Sequence, residues 1–292
     1  MMLSLITVNY NGAGKTIRLL DSLKEQTDQN FCIFVVDNAS EPAHREKLTN
    51  ALEQYPFAQF IASPTNTGFS GGNNLGIKQA LAQNTQWIVL INNDAWVTRQ
   101  FIAGIKAFVS CRTESVIAFP IREADRTAYC GRIEWLKPAL SHVYEKFKAK
   151  SLNSKVYAIG AGMAIHRSVF EKIGYLDERY FLYFEDADFS MRARHADIPI
   201  EIAPQGIHHE VSATTSTLGA PLLLRYHWRN AHVFNWNNGP VWVKIVLPFW
   251  SFFAIIRQLL KLLFLPKTRD ASLGIITGII DFYRGRFGKI VV

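Results

Sequence analysis

Cysteine is scarce in this 292-residue chain, where Cys32, Cys111 and Cys130 stand far apart without a CxxC pair. That spacing excludes a zinc ribbon and a disulfide-stapled secreted scaffold, and it fits a reducing cytosol. Long uncharged apolar runs are also missing. The longest in the region after Val241, Ile245–Ile256, has 12 residues and contains Pro248. A spanning helix needs about 20, so an interfacial segment is expected there rather than a membrane span. The opening MMLSLITVNYNG has no basic n-region and alternates like a strand, so it is not read as a signal peptide. Two phosphate fingerprints fail. GAGKT at Gly12–Thr16 lacks the P-loop glycine, Asn9 standing where it belongs, and GFSGGNNLG at Gly68–Gly76 lacks GxGxxG spacing. No internal repeat or low-complexity tract occurs.

What is present is a large apolar fraction, 49% of residues, enough for one sizeable α/β domain with an appendage or for two small domains. The net charge is +8, and from Trp236 to Val292 eight basic residues face two acidic ones. The excess lies in an apolar tail rather than on a basic groove interleaved with aromatics, which makes nucleic acid the weakest partner class. Short β-branched runs at Leu3–Asn9, Phe31–Asp37, Gln59–Ala62 and Trp87–Ile91 predict strands. Between them, Ile17, Leu20 and Leu23, then Leu75, Ile77 and Leu81, have helical spacing. The alternation is that of βα units with a mostly parallel sheet. Polar clusters follow three of these strands: Asn9-Tyr10-Asn11-Gly12, Asp37-Asn38-Ala39-Ser40 and Asn92-Asn93-Asp94. They fall at carboxyl ends, where a ligand crevice forms. Further on, Tyr157–His166 reads as a glycine-interrupted buried strand. Glu185–His195, with acids first and bases last, reads as a helix matched to its macrodipole.

Taken in order, TVNYNG (Thr7–Gly12), VVDNAS (Val35–Ser40), NTGFSGGNNLGI (Asn66–Ile77), INNDAWV (Ile91–Val97), Gly160–Arg194, HEVSATT (His209–Thr215) and WRN (Trp228–Asn230) resemble a known family. It is that of the inverting, metal-dependent GT-A glycosyltransferases of family 2 type, which includes rhamnosyltransferases of bacterial cell-surface polysaccharide synthesis. The resemblance covers nearly the whole chain. It implies a GT-A fold: a Rossmann-like, nucleotide-binding α/β domain whose mostly parallel central sheet is flanked by helices. That domain is expected over residues 1–235, with a donor half of about 1–117 and an acceptor half of about 118–235. Residues 236–292 are expected to be a C-terminal segment of amphipathic, membrane-associating helices.

The resemblance also distributes roles. Thr7, Asn9 and Asp37 are assigned to the base and ribose, since a carboxylate accepts from N–H and O–H donors; Asp37 and Ser40 equally suit a turn. Asn66, Gly68, Gly71 and Asn73 belong to a glycine- and amide-rich loop before a helix, whose backbone N–H groups can approach a diphosphate; capping of that helix by Asn73 or Asn74 is the plainer reading. Where the family carries DxD, this chain has Asn92-Asn93-Asp94. Asp94 is then the expected ligand for Mg²⁺ or Mn²⁺, with Asn92 and Asn93 on the donor; an Asx turn is the alternative. Asp186 is assigned as general base and Glu185 to orienting or binding the acceptor, although acids at a helix start also serve the dipole, as Asp188 is taken to do. His209 is matched to the metal or diphosphate, against an ordinary structural histidine. Arg229 is set against phosphate, or in a surface ion pair.

The expected activity is transfer of rhamnose from dTDP-rhamnose to a glycan or lipid-linked oligosaccharide in O-antigen or capsule synthesis. UDP-linked hexosyl, hexosaminyl and galactofuranosyl donors are the alternatives, because a few pocket contacts decide the sugar. The acceptor is expected near Ile121–Lys155 and the Tyr180–Phe184 aromatics. Peripheral attachment to the cytoplasmic face of the inner membrane is expected through the C-terminal segment, with packing on the catalytic domain or on a second subunit as a homodimer the other use of its apolar faces. A nucleotidyltransferase and an inactive nucleotide-sugar-binding scaffold are the readings from other classes.

Overall fold

A computed structural model describes residues 2–123, 125–144, 156–210 and 220–291. The chain starts with β1 (Leu3–Asn9), α1 (Ala13–Lys24), β2 (Phe31–Asn38), α2 (Pro42–Leu52), β3 (Ala58–Ser63), α3 (Gly68–Ala82) and β4 (Trp87–Ile91). All eight residues of β2 are buried, whereas β3 leaves Phe60 exposed at the sheet edge. Such continuous apolar runs are what a parallel strand covered on both faces requires. In α1 the buried positions Ala13, Thr16, Leu19, Leu20 and Leu23 form one stripe, so the helix lies flat against the sheet.

The middle of the chain adds β5 (Ala95–Trp96), α4 (Phe101–Val109), β6 (Val116–Ala118), β7 (Ile121–Glu123), β8 (Arg126–Ala128), β9 (Cys130–Arg132), β10 (Ser141–Val143), β11 (Val156–Tyr157) and β12 (Gly162–His166). Then come α5 (Arg167–Ile173), α6 (Glu185–His195), β13 (Ile200–Ile202) and β14 (Ile207–His209). The main sheet has seven strands in the order β13-β6-β12-β4-β1-β2-β3. Strands β4, β1, β2 and β3 run parallel, and β12 enters antiparallel beside β4. Two small sheets, β10-β9-β11 and β5-β14-β7-β8, stand beside it.

Two expectations are corrected here. Tyr157–His166 is not one strand: it breaks after Tyr157, and β11 and β12 belong to different sheets. The glycine-rich run is not a loop ahead of a helix but the first turns of α3. Its glycines serve close packing. A Cβ at Gly72 would lie 2.7 Å from Val8 Cγ1 and one at Gly76 would lie 2.5 Å from Ile6 Cγ2, so α3 sits on β1 at a distance that only glycine permits.

The chain closes with three long helices, α7 (Ala220–Asn238), α8 (Val241–Phe264) and α9 (Arg269–Tyr283). Helix α7 crosses residue 236 unbroken and runs along α9, where Arg225 Nε and Asp281 Oδ2 are 2.6 Å apart. Helix α8 continues through Pro248 for 24 residues, long and apolar enough by length and composition to cross a membrane. The uncharged stretch Ile245–Ile256 therefore understated it, because flanking cations do not end a helix.

Candidate active site

The carboxyl ends of β1, β2 and β4 carry the polar clusters, and their turns are bent tightly: Asn11 and Ala39 have φ of 52° and 61°. Non-glycine residues adopt that conformation at a cost, and such strain concentrates at functional sites. Asn9 is the hub of the first cluster. Its amide nitrogen donates to Asp37 Oδ1 and to Ser40 Oγ, both at 3.0 Å, and its oxygen accepts from Thr16 Oγ1 at 3.0 Å. Asn93 Nδ2 donates to Thr16 Oγ1 at 3.2 Å, which ties the end of β4 to the same network. Asp37 is fully buried and also accepts from Arg45 Nε at 2.8 Å. Burial pushes its carboxyl up, but the donors Ser40, Arg45 and Asn9 outweigh it and hold the group below the usual carboxylate range. Thr7, buried nearby on β1, has a hydroxyl without a hydrogen-bond partner among the described residues. Arg45 and Thr16 were not singled out from the sequence; only their places, on the first turns after β1 and β2, could have marked them.

A second cluster follows from strand pairing. His209 of β14 lies opposite Ala95 of β5, one residue past Asp94. This register sets His209 Nε2 3.1 Å from Asp94 Oδ1 and 3.2 Å from Asn92 Nδ2. Lys15 Nζ approaches Asp94 Oδ2 at 3.9 Å. A carboxylate and an imidazole that share one point, beside a lysine, form a place for a divalent cation or a phosphate. Among the described residues no larger group of His, Cys, Asp or Glu gathers as a metal cluster. The last residues of HEVSATT lie outside the described residues, as do 145–155 of the expected acceptor stretch.

Asp186 sits at the start of α6, and its Oδ2 accepts from Gly160 N at 2.8 Å. The next carbonyl along, Ala161 O, accepts from Asn92 N at 3.0 Å. One short backbone bridge thus holds Asp186 beside Asn92-Asn93-Asp94. Burial pushes the Asp186 carboxyl above its usual range, partly offset by the amides of Gly160 and Ala187. Glu185 is also buried, with Oε2 lacking a hydrogen-bond partner among the described residues. Burial, reinforced by the charge of Asp186, holds it well above the carboxylate range. Burial and then the charges of Asp186 and Glu185 do the same to the hydroxyl of Tyr157. Asp188 does more than complement a dipole. It accepts from Tyr180 Oη (3.1 Å), Asn238 Nδ2 (2.8 Å) and Arg192 Nε (2.8 Å), locking α6 to α7.

Three residues ahead of α6, Phe181, Tyr183 and Phe184, have positive φ (62°, 70° and 74°). Runs of strained aromatic residues persist only when their surroundings hold them. Asn230 Nδ2 supplies the hold, donating to the carbonyls of Tyr180 (2.9 Å), Leu182 (2.7 Å) and Tyr183 (3.1 Å). Arg229 is buried beside it, with NH2 on Tyr180 O (3.1 Å) and NH1 on Gly288 O (2.7 Å). Its guanidinium is spent on main-chain carbonyls rather than displayed at the surface. Burial drives it down to about 10. In α3, Asn66 Oδ1 accepts from Gly68 N at 2.9 Å, Asn73 bonds back to Phe69 O, and Phe69 N donates to Phe181 O at 2.7 Å. Gly68 itself has φ of +74° and lies so close to Phe181 that no Cβ fits. Gly71 packs on Thr67. The α3 start is thereby joined to the strained segment.

Comparison with known proteins agrees with this arrangement. The family model for glycosyl transferase family 2 matches residues 4–174. A low-salt glycan biosynthesis hexosyltransferase of Haloferax volcanii is 30% identical over 210 residues, covering 68% of this chain and 63% of the relative. A dTDP-rhamnosyl transferase of Shigella flexneri is 22% identical, covering 68% and 65%. The chain's match thus spans just under two thirds of the length of either relative. An N-acetylglucosaminyl-diphospho-decaprenol L-rhamnosyltransferase of Mycobacterium tuberculosis is 21% identical over 84% of this chain and 88% of its own. Among solved structures, S. aureus TarS 1–349 in complex with UDP superposes with a TM-score of 0.56 at 15% identity, covering all of this chain and 94% of TarS 1–349. GalNAc-T7 with UDP, GalNAc and Mn²⁺ gives 0.64 at 16%, over 88% of this chain and 51% of that one. The fold is GT-A, and the chain belongs to glycosyl transferase family 2.

Proposed function

We propose that this glycosyltransferase inverts the anomeric centre of a nucleotide-activated sugar, with Asp186 as the base. The observation that carries the reading is the Gly160–Ala161 bridge, which ties the half-buried Asp186 carboxylate, its pKa raised, to the backbone of Asn92 at the head of the Asn92-Asn93-Asp94 turn. A base must face the acceptor while positive groups face the leaving diphosphate, and this juxtaposition provides both. Asp186 takes the hydroxyl proton of the acceptor. The acceptor oxygen then bonds to the anomeric carbon as the bond to the diphosphate oxygen breaks on the opposite face. Lys15 lies where negative charge on the diphosphate would be met. Glu185, buried at the start of α6 with its pKa raised by burial and by Asp186, is proposed to orient the acceptor.

Asp94 and His209 fit one divalent cation, Mg²⁺ or Mn²⁺. Their nitrogen and oxygen already converge on one point, and Asn92 Nδ2 lies 3.2 Å from the same His209 nitrogen as a hydrogen-bond donor. Such an ion supplies Lewis-acid neutralisation of the diphosphate. With a single carboxylate in place of two, the site is weaker than a full DxD would make it. Thr7, Asn9 and Asp37 are proposed to border the nucleoside. Asp37 acts mainly by setting the turn that Asn9 and Ser40 present, as its oxygens are engaged. Asn66, Gly68, Gly71 and Asn73 shape the start of α3, and Arg229 positions the loop before α6 instead of binding phosphate.

The donor proposed is dTDP-rhamnose and the acceptor a lipid-linked or growing glycan of cell-surface polysaccharide at the cytoplasmic face of the inner membrane. Two relatives are named for rhamnosyl transfer and one of them for a decaprenol-linked acceptor. The test is a thermal-shift series with dTDP, UDP and their sugars, with and without Mn²⁺. A metal-dependent shift selective for dTDP compounds supports the proposal; selectivity for UDP compounds replaces the donor, and no shift with either rejects the site.

A further inference from the structure

Helix α8 has two unlike faces. Val243, Leu247, Ser251, Ala254 and Gln258 recur at helical spacing and are buried. They face protein: Ser251 Oγ is within 2.9 Å of His232 Nε2 on α7 and 2.8 Å of Tyr283 Oη on α9, and Gln258 Oε1 accepts from Ser272 Oγ at 3.1 Å. The other face carries Trp242, Ile245, Phe249, Phe253 and Leu263, which are 54–73% exposed. A continuous apolar stripe of this size marks an interaction surface, unlike scattered exposed side chains.

Charge identifies the occupant. Between Val241 and Arg269 the chain carries Lys244, Arg257, Lys261, Lys267 and Arg269 and no carboxylate. At 100° per residue, Arg257 falls beside one margin of the apolar stripe, while Lys244 falls next to Ser251 at the border of the protein-facing side. A second copy packed symmetrically on this face would set those cations near their own equivalents. A leaflet of anionic lipid would instead give each a phosphate, while Trp242 takes the interfacial level that suits an amphipathic ring. The helix cannot cross the leaflet without cost, because its buried face is fastened to α7 and α9, which share the Arg225–Asp281 ion pair. Spanning would carry those charges towards hydrocarbon or strip the face bare.

We infer that α8 lies in the plane of an anionic membrane surface, its Trp242–Leu263 face among the acyl chains and its flanking cations at the phosphates. No residue of the crevice enters this inference, so its failure and that of the donor site are separable. The full chain is floated with vesicles of phosphatidylcholine alone and with vesicles in which phosphatidylglycerol replaces part of it. At about 1 kcal/mol per surface cation, binding to the anionic vesicles should be at least about tenfold tighter. It should weaken with salt and be released by alkaline carbonate. Phe249→Glu with Phe253→Glu should abolish it while leaving the melting temperature and nucleotide binding in place. If that pair fails to fold, Lys244→Gln with Arg257→Gln and Lys261→Gln should erase the preference for anionic lipid. Equal binding to both vesicles, carbonate-resistant retention, or no binding together with a dimer that Phe249→Glu dissolves would each overturn the inference.

Discussion

At the residue scale the decisive group is Asp186. Asp186→Asn keeps the size and the hydrogen bond from Gly160 but removes the basic oxygen, so turnover should fall by about 10²–10⁴ while the donor-induced thermal shift stays. A lost thermal shift with residual turnover would reassign the residue to donor binding. The pH dependence has a sign. Burial raises the Asp186 pKa, so the base is protonated at low pH and activity should rise through a limb above the ordinary aspartate range. Burial and the charge of Asp186 raise Glu185 as well. Glu185→Gln imitates a protonated carboxyl and should leave the limb where it is; a limb displaced to lower pH would show that the two carboxylates share charge. Asp94→Ala removes the one carboxylate of the metal pair, and the Mn²⁺-dependent part of nucleotide binding should be lost, as titration with and without the metal would show. The place of Asp94 after a buried strand and of Asp186 at the start of a helix could be read from the strings around them; the roles proposed for them and for His209 rest on these tests. Lys15, Thr16 and Arg45 were not legible, because they acquire meaning from what the fold sets opposite them: Lys15 follows a failed P-loop pattern in the sequence and faces Asp94 only in three dimensions.

At the scale of elements, the strands that line the crevice could be read almost to the residue, since β1, β2 and β4 are apolar runs that end in polar turns. Helix α6 was equally plain. The beginning of α3 was not, because glycine and asparagine are poor helix formers and local propensity favours a loop. Packing prevails there: Gly72 and Gly76 let the helix reach Val8 and Ile6, and the added contact outweighs the propensity cost. Arg229 misled for a related reason. An arginine in WRN suggests phosphate, whereas its position in α7 points it at the carbonyls before α6. Its neighbour Asn230 yields a sharper prediction. Asn230→Ala removes an amide whose two N–H hydrogens are shared among three carbonyls of the strained Tyr180–Tyr183 segment. At about 1 kcal/mol per hydrogen, the variant should lose roughly 2 kcal/mol of stability by denaturant titration. Because that segment delivers Asp186, kcat should drop while KM for the donor changes little. A shift confined to the donor KM would place Asn230 with the nucleotide instead.

For the whole molecule, the C-terminal residues after α9 return to the loop before α6. Gly288 N donates to Arg179 O at 2.8 Å, Arg229 holds Gly288 O, and Ile290 N donates to Tyr226 Oη at 2.8 Å. Ile290 is buried with Phe181 and Tyr226. The helices expected to meet a membrane are thus mechanically continuous with the loop that leads into Asp186. Composition could locate the basic, apolar tail, but long-range contacts of this kind leave no trace in local periodicity. A chain stopped after Tyr283 keeps α7, α8 and α9 and loses only this closure. Three hydrogen bonds and a buried isoleucine correspond to roughly 3–5 kcal/mol, which lowers the melting temperature by about 6–15 °C in a domain of this size. Below that temperature the shortened chain should still bind nucleotide with Mn²⁺, since the Asp94–His209 pair is untouched, yet turn over more slowly because the Phe181–Phe184 segment is less constrained. If kcat is unchanged in the folded, shortened protein, the bonds from Asn230, Arg229 and Phe69 N hold the strained segment without the tail, and the tail has no part in positioning Asp186.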